Sequence, residues 1–348
     1  MMNLLRGLFI AAAFVVVSAN ALAELPEIPR HPPFRELYLA RDKSLVALID
    51  NGVVRSSDQG KTWTRVFEED RHRRSGFFVR QKKQLLLVIR GGNIYASKDE
   101  GKTWRMRGIS ADVNWSSYLG YRGGKYLNKI DDRGYIFVCD QDKLHISENG
   151  GKSWSSQKPL PTLLGPTQSI LNIAFDKNKV YLLSQHALIV SEDRAKTWNV
   201  VTAGKFPEIF GTALTDPLSH VSFDASSNGD LFLIGKGQIF VSSDGGVHWE
   251  FRDFNIPASP SEILFSRRDA IYIAAINERA PSSQRYKVFR SKDNRTAVEF
   301  SAHHPTQDLQ LDKQANIYIV TEKNIYKTID EGASWEVINN NHIKWYEY

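Results

Sequence analysis

At 348 residues, 42% of them hydrophobic and 24% charged, with 23 glycines and 13 prolines, the chain holds enough apolar mass for a packed core. This excludes a disordered, collagenous or coiled-coil chain, and the lone cysteine, Cys139, excludes an internal disulfide framework and any multi-cysteine metal site. A formal net charge of +6 is too small an excess to name a partner.

Residues 1–23 carry Arg6, an apolar run over 8–17 and Ala21-Leu22-Ala23, the pattern of a cleavable secretory signal with cleavage before Glu24. The run is too short to span a bilayer, which needs about 20 residues, and no later segment is longer, so no transmembrane segment is expected after cleavage. The mature chain, 24–348, is expected in a periplasm or outside the cell. Cleavage removes one arginine and no acid, taking the net charge from +6 to +5. The one dense basic stretch is Arg71-His72-Arg73-Arg74, followed by Arg80, Lys82 and Lys83.

From residue 56 onward an octapeptide recurs, at 56–63, 97–104, 147–154, 191–198, 242–249, 291–298 and 328–335. Its third position is Asp58, Asp99, Asn149, Asp193, Asp244, Asp293 and Asp330, with spacings of 41, 50, 44, 51, 49 and 37. Six of the eight tryptophans close a copy. Each copy has turn chemistry: Asp or Asn bonds nearby backbone N–H groups, Gly supplies a positive φ, and Thr-Trp opens a strand. Alternating or continuous apolar runs flank each copy, at 37–40, 45–49, 52–56 and 62–67 in the first unit and at 170–175 and 180–183 in the fourth. Four strands recurring every ~45 residues form the unit of a β-propeller. An all-β, seven-bladed propeller of four-stranded antiparallel blades is therefore expected, as one domain.

The octapeptides resemble the Asp-box, or bacterial neuraminidase repeat, Ser-x-Asp-x-Gly-x-Thr-Trp. The fourth copy has Arg194-Ala195 where glycine stands elsewhere, and the sixth lacks both Gly and Trp, so a looser turn is expected at the sixth. The resemblance implies a propeller and leaves function open, since sialidases, sortilin-type receptors, xyloglucan hydrolases and photosystem II assembly factors share it. Seven blades in one small ring look most like the assembly-factor type, a non-enzymatic propeller. In such families the boxes are structural and lie away from the active site. Function is then expected on the opposite face, which receives the long segments 68–76, 105–118, 155–169, 202–220 and 277–287. The candidate binding residues are Arg71, Arg73, Arg74, Arg105 and Arg107 with Phe206 and Phe210, reading a protein partner with an acidic surface, since Arg forks bind carboxylates bidentately. Ordinary surface arginines are the competing reading.

The alternative is a sialidase-like hydrolase or a carbohydrate-binding propeller. Sialidases carry an aromatic-Arg-Ile-Pro motif where this chain has Phe34-Arg35-Glu36-Leu37, and the loop that houses their acid/base Asp has no room between Leu45 and Gly52. Tyr286 and Glu262 can be imagined as a nucleophile pair, but any propeller offers a Tyr and a Glu. Asp131-Asp132 reads as a turn, His303-His304-Pro305 as a loop, and Gly91-Gly92 and Gly123-Gly124 as turns. No catalytic residue, metal ligand or cofactor is assigned, nucleic acid is not expected as a partner, and a monomer is. With all seven units complete, closure is expected without a strand exchanged between the termini, and 24–33 and 342–348 are possible extra edge strands.

Overall fold

The computed structural model describes residues 34–50, 52–68, 76–81, 84–89, 93–109, 128–131, 133–140, 143–158, 170–177, 179–184, 187–203, 221–235, 237–265, 271–277, 279–281, 286–291, 298–299, 306–312, 314, 316–321, 324–330 and 334–339. The signal segment and the two possible edge strands lie outside them, as do residues 292–297 of the sixth corner.

The strands form seven four-stranded antiparallel sheets, each from four consecutive strands. Blade 1 holds β1 (Phe34–Leu39), β2 (Leu45–Ile49), β3 (Gly52–Ser56) and β4 (Thr64–Glu68). Blade 2 holds β5 (Gly76–Gln81), β6 (Gln84–Ile89), β7 (Asn93–Ser97) and β8 (Arg105–Ile109). Blade 3 holds β9 (Asn128–Ile130), β10 (Ile136–Asp140), β11 (Lys143–Ser147) and β12 (Ser155–Gln157). Blade 4 holds β13 (Ile170–Asp176), β14 (Lys179–Ser184), β15 (Ala187–Ser191) and β16 (Asn199–Ala203). Blade 5 holds β17 (Ser222–Ala225), β18 (Leu231–Gly235), β19 (Gln238–Ser242) and β20 (Glu250–Phe251). Blade 6 holds β21 (Ser259–Phe265), β22 (Ile271–Ile276), β23 (Tyr286–Ser291) and β24 (Val298–Glu299). Blade 7 holds β25 (Thr306–Leu311), β26 (Ile317–Thr321), β27 (Ile325–Thr328) and β28 (Glu336–Val337).

The middle strands read as unbroken apolar runs because both their faces are covered by neighbouring blades. Leu45–Ile49, Leu231–Gly235 and Ile317–Thr321 are buried at every residue. The outer strands keep polar residues, as in the exposed or half-buried Thr64–Glu68.

Every octapeptide joins a third strand to a fourth, as expected. In the first five the opening hydroxyl is buried and accepts the backbone N–H four residues on, as Ser56 does from Gly60 at 2.7 Å, Ser97 from Gly101 at 2.8 Å and Ser242 from Gly246 at 2.8 Å. The same hydroxyl donates to the third-position side chain, which in turn accepts the N–H of the seventh residue, as in Ser56 to Asp58 at 2.7 Å and Thr62 N–H to Asp58 at 2.8 Å. The glycine at the fifth position lies flush against the preceding blade. A Cβ added to Gly101 would stand 2.9 Å from Val46 Cγ2, and one added to Gly151 would stand 2.8 Å from Ile94 Cδ1.

The fourth corner keeps the geometry of the others without its glycine. Ala195 takes a φ of 68°, its N–H reaches Ser191 Oγ at 2.7 Å, and Thr197 N–H reaches Asp193 at 2.8 Å. The hydrogen bonds and the burial of Ala195 beside Phe137, Cys139 and Leu144 hold alanine in a conformation it disfavours.

Ring closure needs no exchanged strand. Phe34, Leu37 and Trp63 of blade 1 share one buried cluster with Tyr318, Val320, Ile325 and Ile338 of blade 7. Across the same seam the Leu37 N–H donates to the buried carboxylate of Asp308 at 2.9 Å.

Two predictions follow from the corners. Gly60→Ala drives a Cβ into the carbonyl of Ile338 at a φ of +93°, so it lowers stability. The strain and overlap together amount to about 2–4 kcal/mol, read as a fall in the urea midpoint. In Ala195→Gly the relief of about 1–2 kcal/mol is offset by ~0.4–1 for a freer unfolded chain and ~0.8 for the lost methyl, leaving the midpoint nearly unchanged. An unchanged Gly60→Ala midpoint would show that the corners do not set the seams.

The second concerns acid. Hydrogen bonds to Asp244, led by the His248 N–H, and to Asp330, led by the Ser334 hydroxyl, lower both carboxyls to about 2. Asp193 is lowered likewise, chiefly by the Thr197 hydroxyl. The folded values lie below the unfolded value of about 4, so this stabilisation is full above that value and disappears as pH falls toward 2. Urea midpoints measured from pH 6 to pH 2 should fall in that window, and Asp330→Asn, which copies the natural Asn149 corner, should flatten the fall.

Candidate functional site

Antiparallel alternation puts the corners and the first-to-second turns at one end of each blade. The second-to-third turns and the strand ends that flank the blade-to-blade connections lie at the other. The first strand of each blade has an open edge on the blade's inner side, where unpaired N–H groups need acceptors. A repeated device supplies them. In β1, β13, β21 and β25 a register shift falls just before Glu36, Asn172, Glu262 and Asp308. Such a bulge re-aims the following side chain. Glu36 accepts the N–H of Phe78 in the next blade at 3.0 Å, and Asp308 accepts that of Leu37 at 2.9 Å. Asn172 donates to the Val221 carbonyl at 3.4 Å, and Ser222 accepts the Ile263 N–H at 3.4 Å. Asn172 and Asp308 were not singled out in the sequence, because the bulge breaks the alternation that would have flagged them. Gln310 Nε2 lies 3.1 Å from each Asp308 oxygen, so that buried carboxylate is hydrogen-bonded from within the fold.

Arg35, the one survivor of the sialidase motif, is held within its own blade. Its Nε reaches Asp50 Oδ1 at 2.6 Å and its Nη2 reaches Oδ2 at 3.3 Å, a fork already filled by a carboxylate. Tyr286 pairs with Ile276 and Glu262 with Ala274, so β22 stands between their strands, roughly 9–10 Å across. The register does not bring that pair together. Asp131 accepts the N–H groups of Arg133 at 3.1 Å and Tyr135 at 2.9 Å and forms an ion pair with Arg133, the turn expected there. Cys139 is buried, and burial pushes its thiol pKa well up, which suits a core residue.

Of the candidate binding residues, Arg71, Arg73, Arg74, Phe206 and Phe210 lie outside the described residues, as do His303 and His304. Arg105 and Arg107 do not lie in a loop: they belong to β8, where Ala96 pairs with Arg105 and Tyr95 with Met106. Arg105 follows Trp104 directly and so stands at the corner end, opposite the face where it was expected. Strands likewise claim 155–157, 202–203 and 286–287 from segments read as loops. Outer strands show no apolar run because one side faces solvent, and the sequence signal of a strand is lost there. Among the described residues no three or more His, Cys, Asp or Glu are placed to hold a metal ion, and no helix is long and apolar enough to cross a membrane.

No curated protein matches the sequence. Among solved structures, YCF48 bound to D1 peptide is similar at a TM-score of 0.60 and 12% identity, over 86% of this chain and 93% of that one. A catalytically inactive virginiamycin B lyase from Staphylococcus aureus with quinupristin is similar at 0.61 and 11%, over 87% and 97%. An ancestral GH74 enzyme is similar at 0.58 and 12%, over 88% of this chain and 46% of its own. At these identities the likeness is one of fold, and the fold hosts unlike activities. Residues 78–333 match the DUF6242 beta propeller domain, well over half the sequence, and the chain belongs to that family.

Proposed function

We propose that the mature chain is an exported propeller, its corners Asp-boxes, that binds another protein through the end opposite those corners, as an assembly factor, scaffold or inhibitor does. The observation that carries this reading is the use made of the inner polar groups. Glu36 and Asp308 accept backbone N–H groups of neighbouring blades, and Arg35 is paired with Asp50. Groups so committed serve the scaffold and are poor general acids, bases or nucleophiles. The chemistry left to vary lies in the blade-to-blade connections, where Arg71, Arg73 and Arg74 follow β4 and Phe206 and Phe210 follow β16. Long connections on a rigid frame are where binding residues concentrate. A structural neighbour, YCF48, has a peptide bound to the same fold. The arginines call for an acidic partner surface, and the 1–23 segment calls for a periplasmic or extracellular setting.

The test is capture from a periplasmic or culture extract by immobilised 24–348, beside the Arg71→Ala/Arg73→Ala/Arg74→Ala form. A partner retained by the first and reduced about tenfold in the second, with retention falling as salt rises, supports the reading. Equal recovery by both forms removes the basic connection from it. Release of sialic acid from a fluorogenic sialoside by the purified chain overturns it in favour of a hydrolase.

A further inference from the structure

We propose that the corner end of the ring binds the corner end of a second copy across a two-fold axis, in place of the monomer expected from the sequence. The observation is a division of charge between equivalent positions. The sixth residue of the octapeptide is Lys61, Lys102, Lys152 and Lys196 in blades 1 to 4, and Val247, Thr296 and Ala333 in blades 5 to 7. The residue that follows the octapeptide is Thr64, Arg105, Ser155 and Asn199 in the first four, and Glu250, Glu299 and Glu336 in the last three. All seven units obey the same split.

The fold turns this division along the chain into one in space. Each blade is built from four consecutive strands, so equivalent residues stand at the same end of the ring and successive blades are neighbours. Blade 7 packs on blade 1, so the lysines lie on one arc and the glutamates on the remaining one. All four lysines and all three glutamates are exposed. The Glu250 side chain is 81% exposed with Arg252 at 3.8 Å, and Glu299 forms an ion pair with Lys287. The acidic arc also presents large apolar side chains at its corners, Val247 at 52% exposure and Ile329 at 75%.

A ring end with one arc of each sign is complementary to itself. A two-fold axis lying across that end brings the acidic arc of one copy over the basic arc of the other. An axis through blade 1 and between blades 4 and 5 sets blade 2 on blade 7, blade 3 on blade 6 and blade 4 on blade 5. Lys102 then faces Glu336 of the second copy, Lys152 faces Glu299 and Lys196 faces Glu250, each pair occurring twice. Ile329 and Val247 come under the aliphatic stems of the lysines opposite them. An axis through blade 4 also alternates the signs, but only the first joins the most basic corner, with Lys98, Lys102 and Arg105, to the most acidic, with Asp330, Glu331 and Glu336. The first axis leaves Lys61 alone facing its own copy, whereas the other opposes both Arg194 and Lys196 to theirs. A partner of a single sign, such as an anionic membrane surface, is repelled by one arc, so a second copy is the occupant that fits both.

The end proposed above for another protein stays open on both copies, and partner capture and self-association can fail separately. Sedimentation velocity on 24–348 over a concentration series should show a reversible monomer–dimer equilibrium that weakens as sodium chloride rises. Lys102→Glu and Glu336→Lys should each raise the dimer Kd about tenfold or more, since each reversal occurs twice in the dimer, and the two combined on one chain should restore it. Lys61→Gln removes the like charges on the axis and should tighten the dimer. Equal urea midpoints for all four chains show that the substitutions act on association rather than folding. A chain that stays monomeric throughout, a dimer indifferent to both reversals, or a double variant as weak as either single one overturns the proposal. Weakening by Lys61→Gln overturns the axis through blade 1.

Discussion

One buried hydroxyl, repeated around the ring, fixes the rest of the structure. Ser56, Ser97, Ser147, Ser191 and Ser242 are each at most 1% exposed, and each accepts the N–H of the residue four places on. Leaving such an N–H unpaired in a buried corner would cost about 1–3 kcal/mol. The bond closes the corner tightly enough for its fifth residue to lie flat on the preceding blade, and this contact decides how far apart two blades sit. The corner is therefore a seam-setting device as much as a turn, and blades whose faces are both apolar are stable only when that spacing is met.

The same logic governs the inner side of the ring. A first strand is a sheet edge, and an edge facing the axis has N–H groups with nothing opposite them. Glu36 and Asp308 reach across to the next blade and supply the acceptors. Because Asp308 does this between blade 7 and blade 1 as Glu36 does between blades 1 and 2, the closing seam is built like an ordinary one. Closure by packing and a carboxylate replaces closure by an exchanged strand.

What was legible in the sequence follows from which groups repeat. The corners repeat residue type at fixed positions, because a hydroxyl, a carboxylate and a positive φ have few substitutes, so blade number and strand count could be read directly. Corner four shows the limit of that reading: Ala195 breaks the residue rule and keeps the geometry, since its neighbours hold its φ at 68°. The inner polar groups were hidden by bulges that shift the alternation before Asn172 and Asp308. Arg105 and Arg107 were read as loop because Arg-Met-Arg-Gly-Ile lacks an apolar pattern, while its backbone pairs along β7. The candidate site was the least legible part, since it rests on places where the repeat varies rather than where it holds.

That variation has a physical meaning for binding. A ring whose seams are set by buried hydrogen bonds has little freedom to move one blade against another, so a ligand cannot draw affinity from blade motion. It must draw it from groups the scaffold leaves unsatisfied or from the connections the scaffold merely holds. Val66, Arg107, Gln157 and Val201 stand at comparable places on their fourth strands, and only Arg107 and Gln157 are polar there. Gln157 meets both its neighbours' needs from within the chain, accepting from the Trp198 indole and donating to the Ala195 carbonyl, so that seam is fixed without any outside group.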